Sequence, residues 1–352
     1  MSLLSKRTMM DQFMEIKANH PDTILFFRMG DFYELFHKDA EVASPVLGLT
    51  LTSRDKKSAN PIPMAGFPWH ALEDNLRIML KSGFKVTVAE QERELREGAK
   101  LLERVVTRVY TPGSLYEESL LSTNERSVLA AIVTEKSSLS MAIIDSSTGE
   151  SWASTWKGQE KFSNLEDELL RWTPAEIIVS PKDASNNELI SIFSNLDECV
   201  ISQHSVSKKR RISRLESILQ VSDLGHLDLD NSPLSIEAAG FAADYLAVVH
   251  LKNEIPIRDI QIMDETGHLV VDQTTLRNLE ITSTLAGEYD GSLISSMNYC
   301  RTAMGRRLLK TWLLRPLYQI EAIELRHNAV KSLKSSSKTV SYTHLRAHET
   351  RI

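Results

Sequence analysis

Phe32 and Glu34 stand two residues apart in the run Arg28-Met29-Gly30-Asp31-Phe32-Tyr33-Glu34-Leu35-Phe36. An aromatic ring and a carboxyl group at that spacing, beside a glycine, suit work on a stack of bases. The ring can insert where stacking is weak, and stacking on a base is worth roughly 1–3 kcal/mol whatever the base. A mispaired step costs less to unstack and kinks more readily. The carboxyl group can hydrogen-bond to the displaced base, as a donor if protonated or as an acceptor facing a base donor. A ring indifferent to base identity fits a sensor of defects rather than of sequence. The same residues have plainer roles. Phe32 can be a core residue, and Tyr33 reads as packing. Asp31 can cap a helix, with Glu34 closing a capping box at the third helical position. Met29 and Gly30 either shape a close approach to a ligand or form a strand-to-helix turn.

The elements that must position these residues read as a small mixed α/β unit over residues 5–113. A first helix starts near Thr8, with Met9, Met10, Phe13, Met14 and Ile16 on its apolar side and Pro21 just past its end. An apolar strand follows at 24–27, then the expected second helix, capped by Asp31, with Leu35, Phe36, Ala40 and Ala43 buried. Residues 52–63 read as a loop, and 61–68 as a stiff proline-rich turn. A third helix carries Leu72, Leu76, Met79 and Leu80 and stops at Gly83. Phe84, Val86 and Val88 alternate as a strand, and 105–110 is extended up to Thr111-Pro112-Gly113.

A second α/β unit spans 124–225, with strands at 128–133 and 139–144 joined by a turn, a third strand at 151–156, a helix at 165–172 and a strand at 176–179. From Ser235 apolar residues recur at helical spacing, and a mainly helical unit runs over 235–333. Thr302 opens its strongest helix, with Leu308, Leu309, Trp312 and Leu313, ended by Pro316. Residues 334–352 have no clear periodicity. His344 and His348 are four apart there, but the glutamate of a zinc hydrolase motif is missing.

Composition narrows the partners. The chain has 352 residues, 42% of them hydrophobic and 25% charged, with a net charge of −6. No apolar run approaches the roughly 20 residues needed to span a bilayer, and the first residues lack a secretory core. Cys199 and Cys300 are the only cysteines, which excludes a disulfide scaffold and a four-cysteine metal site. Residues 1–113 hold 16 Lys/Arg against 15 Asp/Glu, so charge alone does not point to DNA; it allows a contact limited to a few residues, or one completed by another subunit or a missing region. The most basic run, Lys208-Lys209-Arg210-Arg211 with Arg214, reads as a solvated helix face, with contact to a DNA backbone or a partner protein as the other reading. Asp145 after a strand raises nuclease chemistry, but two-metal hydrolysis needs several clustered carboxylates.

ILFFRMGDFYELF, PIPMAGFPWHALEDNLRIMLKSGFKVTVAEQ and RVYTPGS together resemble the mismatch-recognition domain of bacterial MutS proteins. Residues 125–225 resemble the connector domain of that family, and SLISSMNYCRTAMGRRLLKTWLLRPL the start of its core or lever domain. The likeness covers about 8–333; the tail at 334–352 does not fit it. The resemblance implies a multidomain α/β chain: a small mixed α/β recognition domain, a ribonuclease H-like α/β connector and the beginning of an all-helical core. It implies that Phe32 is the wedge and that Glu34 contacts the base on which the ring stacks. It brings Met29, Gly30, Arg108, Met64 and His70 to the DNA-facing side, although His70 also reads as a satisfied histidine at a helix start. The expected partner is duplex DNA with mismatched or looped-out bases. Self-association is expected only in the full-length form, with a mismatch-repair protein as a further partner, in the cytoplasm at the nucleoid. The family's ATPase lies further along, and no Gly-rich phosphate loop ending in Lys-Ser/Thr occurs here. ATP and Mg2+ are therefore expected only in a full-length member, and no enzymatic activity or cofactor is expected of this chain. The competing expectation is a protein-interaction or non-functional fragment whose helical part exposes apolar faces.

Overall fold

A computed structural model describes residues 8–54, 60–92, 102–117, 120, 127–146, 149–196, 199–221, 233–251, 257, 260–262, 268, 269, 271 and 273–335. The expected features of residues 336–352, including His344 and His348, lie outside the described residues. Helix α1 (Met9–Asn19) begins at Thr8, whose side chain and backbone exchange hydrogen bonds with Asp11 in a capping box. There follow β1 (Ile24–Met29), β2 (Phe32–Phe36), α2 (His37–Leu47), β3 (Thr52–Arg54), β4 (Ile62–Pro68), α3 (Leu72–Lys81), β5 (Val86–Gln91) and β6 (Arg104–Tyr110). The strands form one sheet in the order β3-β4-β2-β1-β5-β6, in which only β1 and β5 run parallel. Ala40 and Ala43 of α2 and Leu76, Met79 and Leu80 of α3 pack on one face with Phe26, Tyr33, Leu35 and Phe67. On the other face Phe13 of α1 meets Phe27 and Phe36 edge-on, at 5.6 and 5.1 Å between ring centres.

Three expectations are corrected in this unit, the first being the loop at 52–63, since Thr52–Arg54 is β3 and Ile62 already opens β4. Residues 32–36 are a strand, and the helix begins only at His37, without a side-chain cap. Phe-Tyr-Glu-Leu-Phe has the two-residue period and aromatic content of a strand, and Tyr33 and Leu35 point into one core while Phe36 points into the other. Met29 pairs with Phe32, so Gly30 and Asp31 form a two-residue hairpin loop. Gly30 has φ +59° at its first central position, which is where a tight hairpin takes glycine. The proline-rich stretch 61–68 is likewise no turn, since β4 pairs with both β2 and β3. Pro63 lies outside the β2 register, which ends at Met64, and Pro68 closes the strand, so neither proline removes an interior bond of that ladder.

The second sheet has the order β11-β10-β7-β8-β9-β12. Strands β7 (Val128–Thr134), β8 (Ser138–Asp145) and β9 (Glu150–Lys157) form an antiparallel meander. Beyond helix α4 (Lys161–Trp172), strand β10 (Glu176–Val179) adds parallel to β7; after α5 (Asn187–Ser194), β11 (Val200–Gln203) adds parallel to β10. Helices α4 and α5 cover one face. The other face lies under α6 (Lys208–Leu219) and α7 (Pro233–His250), and β12 (Gln261–Ile262) pairs with β9. Helix α7 was expected to open the helical unit, yet it packs into this α/β/α sandwich. Nearly all of its residues are buried, between the sheet and α6, so it carries no solvent face to mark which layer it joins. Gly240 makes this stacking possible, because a Cβ there would sit 2.4 Å from the Arg211 carbonyl oxygen.

The basic run on α6 faces solvent, with Lys208, Lys209 and Arg210 exposed, while several of its side chains also reach α7. Lys208 pairs with Glu237. Arg210 and Arg214 reach Asp244 at 2.8 and 3.4 Å, and the Arg211 guanidinium lies over Phe241. The remaining helices are α8 (Gln273–Asn278), α9 (Leu293–Met297), α10 (Ala303–Leu314), capped by Thr302, and α11 (Ile320–Ser335). Leu308, Leu325 and Leu333 are exposed there, while Leu309, Trp312 and Leu313 are half-buried. Among the described residues no helix is long and apolar enough to cross a membrane, and no cluster of three His, Cys, Asp or Glu comes together to hold a metal ion.

Candidate nucleic-acid interface

Residues directly opposite on antiparallel strands point to the same side of a sheet. Glu34 lies opposite Phe27 and Gly66, and Phe32 opposite Met29 and Pro68. Phe36 lies opposite Met64, which in turn faces Thr52. Phe32, Glu34, Phe36, Met29, Met64, Gly66 and Pro68 therefore share the face that α1 partly covers. Phe27 and Phe36 lie under Phe13 of the helix, whereas Phe32 and Glu34 project beyond it. Phe32 is 48% exposed, and no ring pair among the described residues holds it. Along the strand the two residues are about 7 Å apart.

Glu34 is half-buried, and no hydrogen bond or ion pair among the described residues takes up its carboxylate. With no helix start at Asp31, the capping-box alternative falls away. Burial pushes its carboxyl group above the usual 4.5, and the opposing pull of Arg54 and Arg104 does not cancel this. Burial also lowers the Arg104 guanidinium, against the pull of Glu34. Gly66 leaves the space beside Glu34 open: a Cβ there would meet the Tyr33 carbonyl oxygen at 3.0 Å and Glu34 Cγ at 3.6 Å.

Arg54, Arg104 and Gly66 were not singled out from the sequence. Arg54 lies at the β3 edge with its guanidinium over Phe36 at 5.8 Å. Arg104 crosses from β6, donating to the Arg28 carbonyl at 3.3 Å and to Met29 Sδ at 3.3 Å, with its guanidinium over Phe27 at 5.4 Å. Only the strand register reveals these neighbours, and the stretches holding Arg54 and Gly66 read as loop and turn. Met29, Gly30 and Met64 do gather with Phe32 and Glu34: the two methionines are half-buried on this face, and Gly30 is exposed at the hairpin tip.

Arg108 and His70 do not join them. Arg108 is only 4% exposed. Its guanidinium pairs with Glu117, donates to the Ser114 carbonyl at 3.3 Å, and lies over Tyr110 and Tyr116 at 4.5 and 4.2 Å. Buried and paired with Glu117, it has no access to a phosphate, which corrects the expected DNA contact. His70 is exposed in the 3-10 turn Trp69–Ala71, but it lines a cavity of about 760 Å3 on the Tyr33 side of the sheet, away from Phe32. Asp31, Glu73, Glu90 and Glu92 also line that cavity, an acidic setting that opposes a phosphate backbone. Tyr33 is buried there between Phe26 and Phe67 and donates to Glu90, as a packing residue.

Three family models match the chain: MutS domain I over residues 7–119, MutS domain II over 127–257 and MutS domain III over 274–348. The second includes α7, in agreement with its packing. The third runs into the stretch from 334 that was expected to lie outside the family. Among similar proteins, the DNA mismatch repair protein MutS of Syntrophomonas wolfei is 36% identical over 332 residues, covering 93% of this chain and 39% of that protein. The namesake of Desulforamulus reducens is 34% identical, with 93% of this chain and 38% of that protein covered. That of Symbiobacterium thermophilum is 35% identical, with 92% and 38% covered. The chain thus spans about two-fifths of the length of these relatives.

Proposed function

The chain belongs to the MutS family, and we propose that it binds mismatched duplex DNA through the sheet face that carries Phe32 and Glu34. The observation that carries this reading is a half-exposed Phe32 beside a half-buried Glu34 whose carboxyl group makes no hydrogen bond or ion pair among the described residues. A ring left with half its surface in water gains by entering a base step that a mispair has already loosened. Glu34 with a raised pKa is more readily protonated, and the negative potential of nearby phosphates raises it further. The protonated carboxyl group then donates a hydrogen bond to the base displaced by the ring. Arg54 and Arg104 supply local positive charge around this pair, and they offset the repulsion between Glu34 and the backbone. Met29, Met64 and Pro68 form the apolar surround, and Gly30 and Gly66 keep the approach narrow. Contacts of this kind carry no sequence readout, which suits defect recognition.

The test is fluorescence anisotropy of the chain with a G·T duplex and its fully paired control at several salt concentrations. Tighter binding of the G·T duplex is the expected result. Equal, salt-sensitive binding of both duplexes would leave only backbone attraction and refute the recognition reading.

A further inference from the structure

We propose that Glu176 is the latch that locks the recognition sheet onto the connector sheet and so holds the Phe32 face at a fixed orientation. The functional part of this inference rests on the recognition reading above. Glu176 opens β10 in the connector and is fully buried, an unusual place for a carboxylate in a strand reading Glu-Ile-Ile-Val. Its two oxygens collect donors from both units. From the recognition side, the Gly113 backbone N–H donates to Oε2 at 3.2 Å, and Lys85 Nζ, just before β5, lies 3.6 Å from Oε1. From the connector side, Ser202 of β11 and Tyr245 of α7 both donate to Oε1, the latter at 2.5 Å. Burial and the Glu176 charge raise the Tyr245 phenol well above its ordinary value, so it stays protonated as a donor.

The link between the units is seated around this carboxylate. Ser127 Oγ donates to the Pro112 carbonyl at 2.9 Å and accepts from the Leu115 N–H at 2.8 Å. Ser146 Oγ donates to the Gly113 carbonyl at 2.8 Å. His250 Nε2, at the end of α7, lies 3.1 Å from the Ser114 carbonyl. The fit is close enough to require glycine at 113, because a Cβ there would sit 2.8 Å from Glu176 Cβ and 3.0 Å from a Leu129 methyl. Units joined by a polar linker move relative to one another by default. Here the linker backbone is bonded into the connector, and a buried charge that needs donors from both units penalises their separation.

The experiment uses the full chain with Cys199→Ser and Cys300→Ser, and spin labels at Lys38→Cys in α2 and Lys182→Cys after β10, both exposed positions. Pulsed electron–electron resonance reads the distance distribution between the units without DNA. The expected result is one narrow distance in the parent, broadened to roughly twice its width or more by Glu176→Ala and by Gly113→Ala. Glu176→Gln is the conservative variant. It turns one acceptor oxygen into a donor that must oppose either Gly113 or the Ser202, Tyr245 and Lys85 group, and it broadens the distribution less. Circular dichroism confirms that each variant is folded. An unchanged width in folded Glu176→Gln and Gly113→Ala would overturn the latch. Broadening should come with a several-fold fall in G·T preference, and broadening with unchanged preference would overturn its positioning role. If the parent itself showed no G·T preference, the recognition reading would fail, while the distances would still decide the latch.

Discussion

Replacing Phe32 with alanine separates a wedge from a core residue. The ring is 48% exposed in the free chain. Fully burying a phenylalanine side chain is worth about 1.5–3 kcal/mol, so insertion between bases has about half of that, 0.7–1.5 kcal/mol, still to gain. Base–aromatic stacking measured by alanine substitution is worth about 1–3 kcal/mol. The ranges overlap at about 1–1.5 kcal/mol, and the stacking range sets the wider limits, a loss of about 5- to 150-fold in G·T affinity. Paired DNA, which does not admit the ring, should lose little. Folding should lose only what the buried half of the ring contributes, about 0.7–1.5 kcal/mol. Tyr33→Ala, next in sequence but buried on the opposite face, is the control and should cost about 3–5 kcal/mol of stability. Anisotropy against G·T and paired duplexes gives the first quantity and urea unfolding the second. Undiminished G·T preference in Phe32→Ala, or a stability loss as large as that of Tyr33→Ala, would refute the reasoning.

Glu34→Gln should raise thermal stability at neutral pH, because burial holds the Glu34 carboxyl group above 4.5 and the folded state resists its ionisation. That advantage should grow as pH rises from 4.5 through the raised pKa and vanish below 4.5, as melting curves across pH would show. The same variant should bind paired DNA more tightly, since it removes a carboxylate that phosphates repel. Arg54→Gln should reduce the slope of log affinity against log salt by about 0.9 if Arg54 meets one phosphate, and an unchanged slope would remove it from the interface. Asp244→Ala should cost about 1.5–3 kcal/mol in urea unfolding, because it removes the buried carboxylate that His204 and Arg210 hydrogen-bond, while Arg210 and Arg214 stay solvated. Burial pushes the Asp244 carboxyl group up, but hydrogen bonds from His204 and Arg210 outweigh it and hold it below 3.8. Its contribution is present above 3.8 and should be lost as pH falls through that depressed value.

Elements with a one-sided pattern and clear ends were legible. Helix α1 has its Thr8 box, α3 its apolar stripe and Gly83 stop, and the meander of β7, β8 and β9 alternates between two cores. The hairpin was not legible, because Asp31 and Glu34 have the spacing of a capping box while Phe32–Phe36 has that of a strand. Five residues cannot settle that competition locally; the positive φ of Gly30 and the pairing of β2 with β4 do. Of the residues grouped from the sequence, Met29, Gly30 and Met64 do lie beside Phe32 and Glu34. The cationic flanks were not legible, because Arg54 and Arg104 approach Glu34 from strands that lie far from it in sequence. Arg108 failed for the opposite reason: an arginine on a strand near a turn looks the same from sequence whether it faces a phosphate or two tyrosines and a glutamate.

Under the proposed wedge role, the placement of Phe32 on a strand bears on how small a signal such a wedge could detect. A mispaired step differs from a paired one by only a few kcal/mol of stacking and pairing. Ordering one loop residue on binding costs about 1–2 kcal/mol, so a wedge carried on a mobile loop of several residues would lose the whole difference to ordering. Phe32 and Glu34 instead continue a face on which Leu25, Phe27 and Phe36 are locked beneath Phe13. The backbone of the pair is fixed by β1 on one side and β4 on the other, and the Trp69 N–H ties the hairpin tip by donating to the Asp31 carbonyl at 2.9 Å. Folding has therefore already ordered the strand, and the energy that distinguishes a defect can appear as binding. The same logic requires the sheet itself to be held, since a rigid wedge on a freely turning domain would meet that cost again at the junction around Glu176.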